Sequence, residues 1–398
     1  MTLRPLFHLT PPAGRLNDPN GVTLVGDRLH VFYQHDPSYG FGPKRTGWGH
    51  AVTTLSGVST DPHVTSWDGV WHHLPDALYP DAPYDKNGVY SGGAVTLDTG
   101  EVQIFYTGNL KIDGERHASQ NRVFVTDIDG PSGGFYRRDP ANPLIPEPAE
   151  GYTNHYRDPQ IVRLKDGLWR MALGAQTEDE HGRLVVYYSD DLTTWEFAGE
   201  IRFEGLPERL NLSYMFECPN LIRMRDTTDG TWYDVAVFCP QSDGSDECWW
   251  VVGHLDSLTF TVHDARPVDA GFEFYAPQLI ELPDGTALML GWMGMPGVDP
   301  AEPFDSEGWV HCLTVPRLVT LTGGRLYQKL LSPVPPATDH PAVSWDEATR
   351  TVTLTRGEET RTAQLPQGVA PDIEVIEDGC ALEVTAGGGL VAFSSMLY

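Results

Sequence analysis

The sequence predicts an all-β fold, a five-bladed β-propeller followed by a small, shortened C-terminal β-sandwich-like module. Three observations predict it. A strand–turn–strand unit recurs five times along the 398 residues, a short polar motif stands just before each copy, and no window carries the 3.6-residue apolar period of an amphipathic helix. The 41 Gly and 32 Pro agree, because short strands joined by tight turns consume both.

The hairpins fall, in order, at Val22–Tyr33 around Gly26-Asp27, Ala94–Tyr106 around Asp98-Thr-Gly100, and Ile161–Ala172 around Asp166-Gly167. Two more follow at Leu221–Phe238 around Asp229-Gly230 and Leu279–Leu290 around Asp284-Gly285. In each, Gly supplies the positive-φ turn and β-branched or aromatic residues flank it. The polar motifs upstream are Asn17-Asp-Pro-Asn-Gly21, Tyr90-Ser-Gly-Gly93, Arg157-Asp-Pro159, Phe216-Glu-Cys-Pro-Asn220 and Glu273-Phe-Tyr-Ala-Pro-Gln278. With Asp18, Ser91, Asp158, Glu217 and Glu273 as anchors, the intervals are 73, 67, 59 and 56 residues, room for about four strands each. A second pair of strands recurs too, most clearly at Leu184–Phe197 and at Trp249–Val262. Four-stranded units at such a period read as propeller blades whose innermost strands begin at a common axis. Anchors far apart in sequence then converge on one end of a central cavity.

Residues 1–330 are assigned to the propeller and the proline-rich stretch 331–337 to a linker. Residues 338–398 form the reduced module, with strands expected at Ala342–Trp345, Thr351–Thr355, Asp372–Ile376, Ala381–Thr385 and Leu390–Phe393. About sixty residues are marginal as an independent domain, so this module is expected to lean on the propeller.

A formal net charge of −28 repels phosphate backbones and anionic membranes, which excludes nucleic-acid and membrane partners. Cys218, Cys239, Cys248, Cys312 and Cys380 form no CxxC pair, so reduced thiols are expected rather than a zinc module or disulfide scaffold. The first residues contain no apolar signal-peptide core and no run approaches a membrane span. A soluble, cytoplasmic protein is expected, as monomer or homodimer.

Asp18, Asp158 and Glu217 bring three carboxylates to the axis. Burial and mutual repulsion raise the pKa of one member of such a cluster, producing the acid-plus-carboxylate pair that glycosidic cleavage uses. Any one motif alone reads as an ordinary turn; their blade spacing sets them apart. His50, His72, His73 and His155 show no metal-ligand spacing, and Gly387-Gly-Gly389 reads as a turn between strands rather than a phosphate loop. No metal or cofactor is expected.

Asn17-Asp-Pro-Asn-Gly21, Trp48-Gly-His-Ala51, Tyr90-Ser-Gly92, Arg157-Asp-Pro159, Glu217-Cys218 and Phe274-Tyr-Ala-Pro-Gln278, in this order, resemble the signature set of glycoside hydrolase family 32, the invertases and related β-fructofuranosidases. The resemblance runs from about His8 to Leu330. It implies that Asp18 is the nucleophile, Glu217 the general acid/base and Asp158 the transition-state stabiliser that holds fructose hydroxyls, with Arg157 orienting the acids. It places Asn17, Gln34, Tyr90, Ser91 and Trp292 in the fructose pocket, and Trp48 among the substrate-binding motifs. Cys218 is implied to pack behind Glu217, a role that simple core packing explains equally well.

Four departures from the family pattern stand out. Glu273 replaces the usual Asp on the leaving-group side, and Phe41 or a neighbour replaces the usual Trp against the sugar. Leu55 to Ser66 is an insertion, and the C-terminal sandwich is short. The expected substrate is a small sugar, sucrose or sucrose 6-phosphate. Lys44-Arg45 is a candidate phosphate site; a solvated surface pair is the competing reading. A fructosyltransferase or fructan exohydrolase would use the same acids, and a non-catalytic sugar-binding protein would normally lack one of the three carboxylates.

Overall fold

The computed structural model describes residues 2–56, 66–211, 213–242 and 245–398. Five antiparallel sheets follow one another along the chain, and the five expected hairpins supply the first two strands of each. The first sheet holds Gly14–Val25, Arg28–Asp36 and Gly47–Ser56, with Ser66–Trp67 and His72–Leu78 both on the last of these. The second runs Val89–Thr96, Val102–Ile112, Glu115–Thr126, Phe135–Arg138, and the third Tyr152–Arg163, Trp169–Thr177, Gly182–Ser189, Glu196–Glu200. The fourth is built on Met215–Arg225, Trp232–Ser242, Trp249–Asp256 and Thr259–Pro267, with Arg202–Glu204 added at its outer edge. The fifth is built on Tyr275–Glu281, Ala287–Met293, Arg317–Thr322 and Arg325–Leu330. The only helices among the described residues are the four-residue turns Glu208–Asn211 and Phe304–Glu307, and no helix is long and apolar enough to cross a membrane.

The first strand of each sheet packs on the first strand of the next, and that of the fifth returns to that of the first. Trp309–Val310 also pairs in parallel with Gly14–Arg15, tying late residues into the first sheet. Side-chain amides lace these inner strands together. The Asn220 carboxamide donates to the Pro277 carbonyl at 2.8 Å and accepts from Leu279 N–H at 2.9 Å. The Gln278 Oε1 accepts from Val22 N–H at 2.7 Å while its Nε2 donates to the Gly92 carbonyl at 2.9 Å. Gly92 N–H in turn donates to Asn20 at 3.1 Å.

Residues 343–396 form two three-stranded sheets, Val343–Asp346, Thr351–Arg356, Glu359–Gln364 and Glu374–Asp378, Ala381–Ala386, Val391–Met396. Val352, Leu354, Val375, Leu382 and Phe393 share one apolar core with Phe272. A buried ionic network anchors this part: Arg317 on the fifth sheet reaches Glu383 at 2.9 Å and Asp269 at 3.0 Å, and His8 bridges Glu383 and Asp378. Of the insertion at Leu55 to Ser66, Ser56 and Ser66 pair at its base; residues 57–65 lie outside the described residues.

Asn220 is 2% exposed, so Asn220→Leu strands a buried carbonyl and an amide N–H. Urea denaturation is expected to show a loss of roughly 1–3 kcal/mol; a loss below about 0.5 kcal/mol, within the range of ordinary surface substitutions, would mean that the amide belt does not hold the sheets.

Candidate active site

Every first strand carries one extra residue at the same place. The pairing with the second strand shifts between Leu16 and Pro19, Val89 and Gly92, Arg157 and Gln160, Glu217 and Asn220, and Tyr275 and Gln278. Four of these bulges contain or abut an X-Pro pair, since Pro has no N–H to lose from a ladder. Asp158, Cys218 and Ala276, at the bulges of the third, fourth and fifth sheets, sit at φ of 65°, 48° and 47°. A bulge turns consecutive side chains toward one side, which a regular strand cannot do.

Consecutive residues therefore line a single cavity of about 130 Å³: Asn17 with Asp18, Tyr90 with Ser91, and Arg157 with Asp158. Gln34, Lys44, Thr46 and Glu217 complete it. Arg157, Glu217 and Tyr275 are the last paired residues before their bulges in three successive sheets, and they meet. Arg157 donates to Glu217 Oε1 from Nη2 at 2.6 Å and from Nε at 3.2 Å, and the Tyr275 hydroxyl donates to Glu217 Oε2 at 2.7 Å. Asp18 accepts from Ser91 Oγ at 2.5 Å and from the Asn17 amide at 3.0 Å, with the Cys218 thiol 3.9 Å away. Asp158 Oδ2 accepts the backbone N–H of Cys218 at 2.9 Å.

Burial pushes the Asp158 carboxyl up to about 7, with Glu217 and Asp18 adding to the rise and Arg157 and the Cys218 N–H opposing it. Burial alone would lower Arg157, but the carboxylates of Glu217 and Asp158 hold its pKa above the usual value. Burial, with the nearby carboxylates, raises the Cys218 thiol and the Tyr275 phenol, so both keep their protons and Tyr275 acts only as a donor to Glu217.

Asp18, Asp158, Glu217, Asn17, Gln34, Tyr90, Ser91, Arg157 and Lys44 are brought together. The remaining candidates lie elsewhere. Trp48 is fully buried and donates from Nε1 to the Tyr90 carbonyl at 3.2 Å, supporting Tyr90 from behind. Trp292 is buried edge-on to Tyr275, beneath the Arg15 guanidinium. Phe41 is 86% exposed and leans on Phe304. Arg45 lies over the Tyr79 ring, 5.6 Å from its centre. Glu273 faces the C-terminal sheets, accepting from Arg356 at 2.5 Å and from Met396 N–H at 2.9 Å. The fifth-sheet position equivalent to Glu217 is Tyr275, two residues beyond Glu273; aligning Ala276-Pro277 with Cys218-Pro219, rather than matching acidic residues, finds it. Thr46 at the cavity and Arg15, which donates to Asn17 at 2.6 Å, carry no motif of their own.

A larger cavity of about 350 Å³ opens at the other end of the inner strands, but its Asp98 is already ion-paired with Arg163 and it contains none of the acids above. Among the described residues, no group of three His, Cys, Asp or Glu side chains is placed to hold a metal ion. All five cysteines are free.

The model of the glycosyl hydrolases family 32 N-terminal domain matches residues 8–330, and the chain belongs to this family. It is 36% identical to the sucrose-6-phosphate hydrolase of Klebsiella pneumoniae over 343 residues, covering 82% of this chain and 66% of that protein. To the Bacillus subtilis sucrose-6-phosphate hydrolase it is 37% identical over 338 residues, covering 82% and 64%. The matched region thus spans just under two thirds of the length of these curated relatives. The structure of a Bombyx mori GH32 β-fructofuranosidase superposes with a TM-score of 0.80 at 25% identity, covering 100% of this chain and 89% of that one. A sucrose-6-phosphate hydrolase from Lactobacillus gasseri superposes with a TM-score of 0.79 at 24% identity, covering 100% and 88%.

Asp158 loses its proton at about 7 in the folded chain against 3.8 for a free carboxyl, so the folded state holds an extra proton between those values. Stability contributed by this site falls as pH rises through that window and is lowest above it. Asp158→Asn is therefore expected to raise Tm at pH 8, by roughly 2 °C or more, with the gain shrinking toward pH 4. Calorimetry showing an equal gain at both pH values, or a loss at pH 8, would contradict this.

Proposed function

We propose that the chain is a retaining β-fructofuranosidase that cleaves the fructosyl bond of sucrose or sucrose 6-phosphate. The observation that carries this is the set of three carboxylates, Asp18, Asp158 and Glu217, converging on one small cavity with a buried guanidinium between two of them. Asp18, steadied by Ser91 and Asn17, attacks the anomeric carbon and forms a covalent fructosyl ester. Glu217 protonates the departing oxygen and then takes a proton from the water that releases fructose. Asp158 accepts hydrogen bonds from fructose hydroxyls, which tighten as the ring flattens toward an oxocarbenium ion. Arg157 and Tyr275 hold the two oxygens of Glu217, so its free proton-transfer lone pair has a set direction.

The closed succession of inner strands supports a five-bladed β-propeller over residues 1–330, and the shared core of residues 343–396 supports a reduced sandwich over 338–398, with 331–337 as linker. The relatives' names favour the phosphorylated sugar, a substrate found where sugars are phosphorylated, in the cytoplasm. Lys44 lines the cavity and Arg45 does not, so Lys44 is the better placed phosphate partner.

Asp18→Asn and Glu217→Gln are each expected to reduce kcat on sucrose by about 10²-fold or more. Lys44→Ala is expected to lower kcat/KM for sucrose 6-phosphate by about tenfold while leaving that for sucrose nearly unchanged. Full activity in either acid variant refutes the mechanism, and an equal loss on both sugars in Lys44→Ala refutes the phosphate contact.

A further inference from the structure

His155 stands two residues before Arg157 on Tyr152–Arg163, on the same face of that strand. Its Nδ1 lies 3.1 Å from Arg157 Nη1 and 3.4 Å from Nη1 of Arg116, which reaches over from the second sheet. Its Nε2 lies 3.1 Å from the Tyr214 hydroxyl, contributed by the segment entering the fourth sheet. A guanidinium has only donors, so Nδ1 must offer its lone pair and the ring proton must sit on Nε2, pointed at the Tyr214 oxygen. The tautomer is forced by its neighbours.

We propose that neutral His155 is a positioning residue for Arg157, and through Arg157 for the acid/base Glu217, a role that rests on the glycosidase reading above. Arg157 spends Nη2 and Nε on Glu217, which leaves Nη1 to be satisfied from the other side. His155 is the side chain that does so. Without that acceptor Nη1 is free to turn toward Asp158, whose Oδ2 is 3.9 Å from Nε, and the grip on Glu217 loosens. The charged groups facing His155 are Arg116 from the second sheet, Arg157 on its own strand and Glu217 from the fourth, with Tyr214 beside them. Burial and the two guanidiniums hold its pKa at about 4 against a partial offset from Glu217, so it remains an acceptor across the neutral range.

The test uses the full chain and two substrates. Sucrose needs a proton on its leaving oxygen, whereas an aryl β-fructofuranoside with an acidic phenol does not. His155→Ala is expected to lower kcat/KM on sucrose by about tenfold and to leave the aryl substrate within about threefold. His155→Asn, whose Oδ1 falls near the Nδ1 position, is expected to restore sucrose turnover. An equal loss on both substrates, or an Asn variant as impaired as Ala, overturns the proposal. Glu217→Gln run alongside separates the two layers: it must show the same substrate contrast more strongly, and if it shows none, the acid assignment fails rather than the positioning role alone.

Discussion

A strand in regular pairing sends neighbouring side chains to opposite faces, so it can show an axial cavity only every second residue. An extra residue at a shared level in each of the five first strands removes that limit, and the site depends on it. Arg157 and Asp158, or Asn17 and Asp18, enter one cavity together because the ladder has slipped between them and its neighbours. The same slip recurs at the same level in adjacent sheets, and that common level places Arg157, Glu217 and Tyr275 side by side. Just beyond each bulge in the third to fifth sheets stands an amide, Gln160, Asn220 or Gln278, bonded to the next inner strand or across to the first two. These amides satisfy backbone groups that the disturbed ladders leave open.

Gathering carboxylates here is costly, and the rise of Asp158 to about 7 registers that cost. Arg157 offsets part of it. Buried cations are held only by well-formed partners, and Arg157 has two carboxylates and a neutral imidazole around it. A similar arrangement recurs away from the cavity, where Arg317 meets Glu383 and Asp269 and fixes the C-terminal sheets. Glu273 belongs to that second set: pinned by Arg356 and Met396 N–H, it secures the chain two residues ahead of Tyr275. The small C-terminal sheets thereby bear on the hydroxyl that holds Glu217.

Much of this was legible in the sequence because its signals are local. Gly-containing turns with an adjacent or nearby Asp, set between β-branched runs, mark all five hairpins, and X-Pro pairs mark four of the five anchors. What stayed hidden depends on partners distant in the chain. Glu359–Gln364 is a strand, yet its residues are nearly all exposed and polar, so no alternation betrays it. Trp309–Val310 is too short to carry a pattern and exists by pairing with Gly14–Arg15. Glu273 attracts notice as an acidic residue beside a motif, while Tyr275 does its work through a hydroxyl whose partner is 58 positions away. Phe41 occupies a loop whose direction no periodicity reports, and it emerges largely in solvent.

The central claim is that Asp18 becomes covalently fructosylated while Glu217 handles the proton. Mass spectrometry of acid-quenched Glu217→Gln incubated with an aryl β-fructofuranoside tests it directly, because the first step then proceeds without acid help and the ester lacks its base. A single hexosyl increment on the peptide containing Asp18 is the result this account predicts. An increment on the peptide containing Asp158, or continued fructose release with no ester on Asp18, would contradict it.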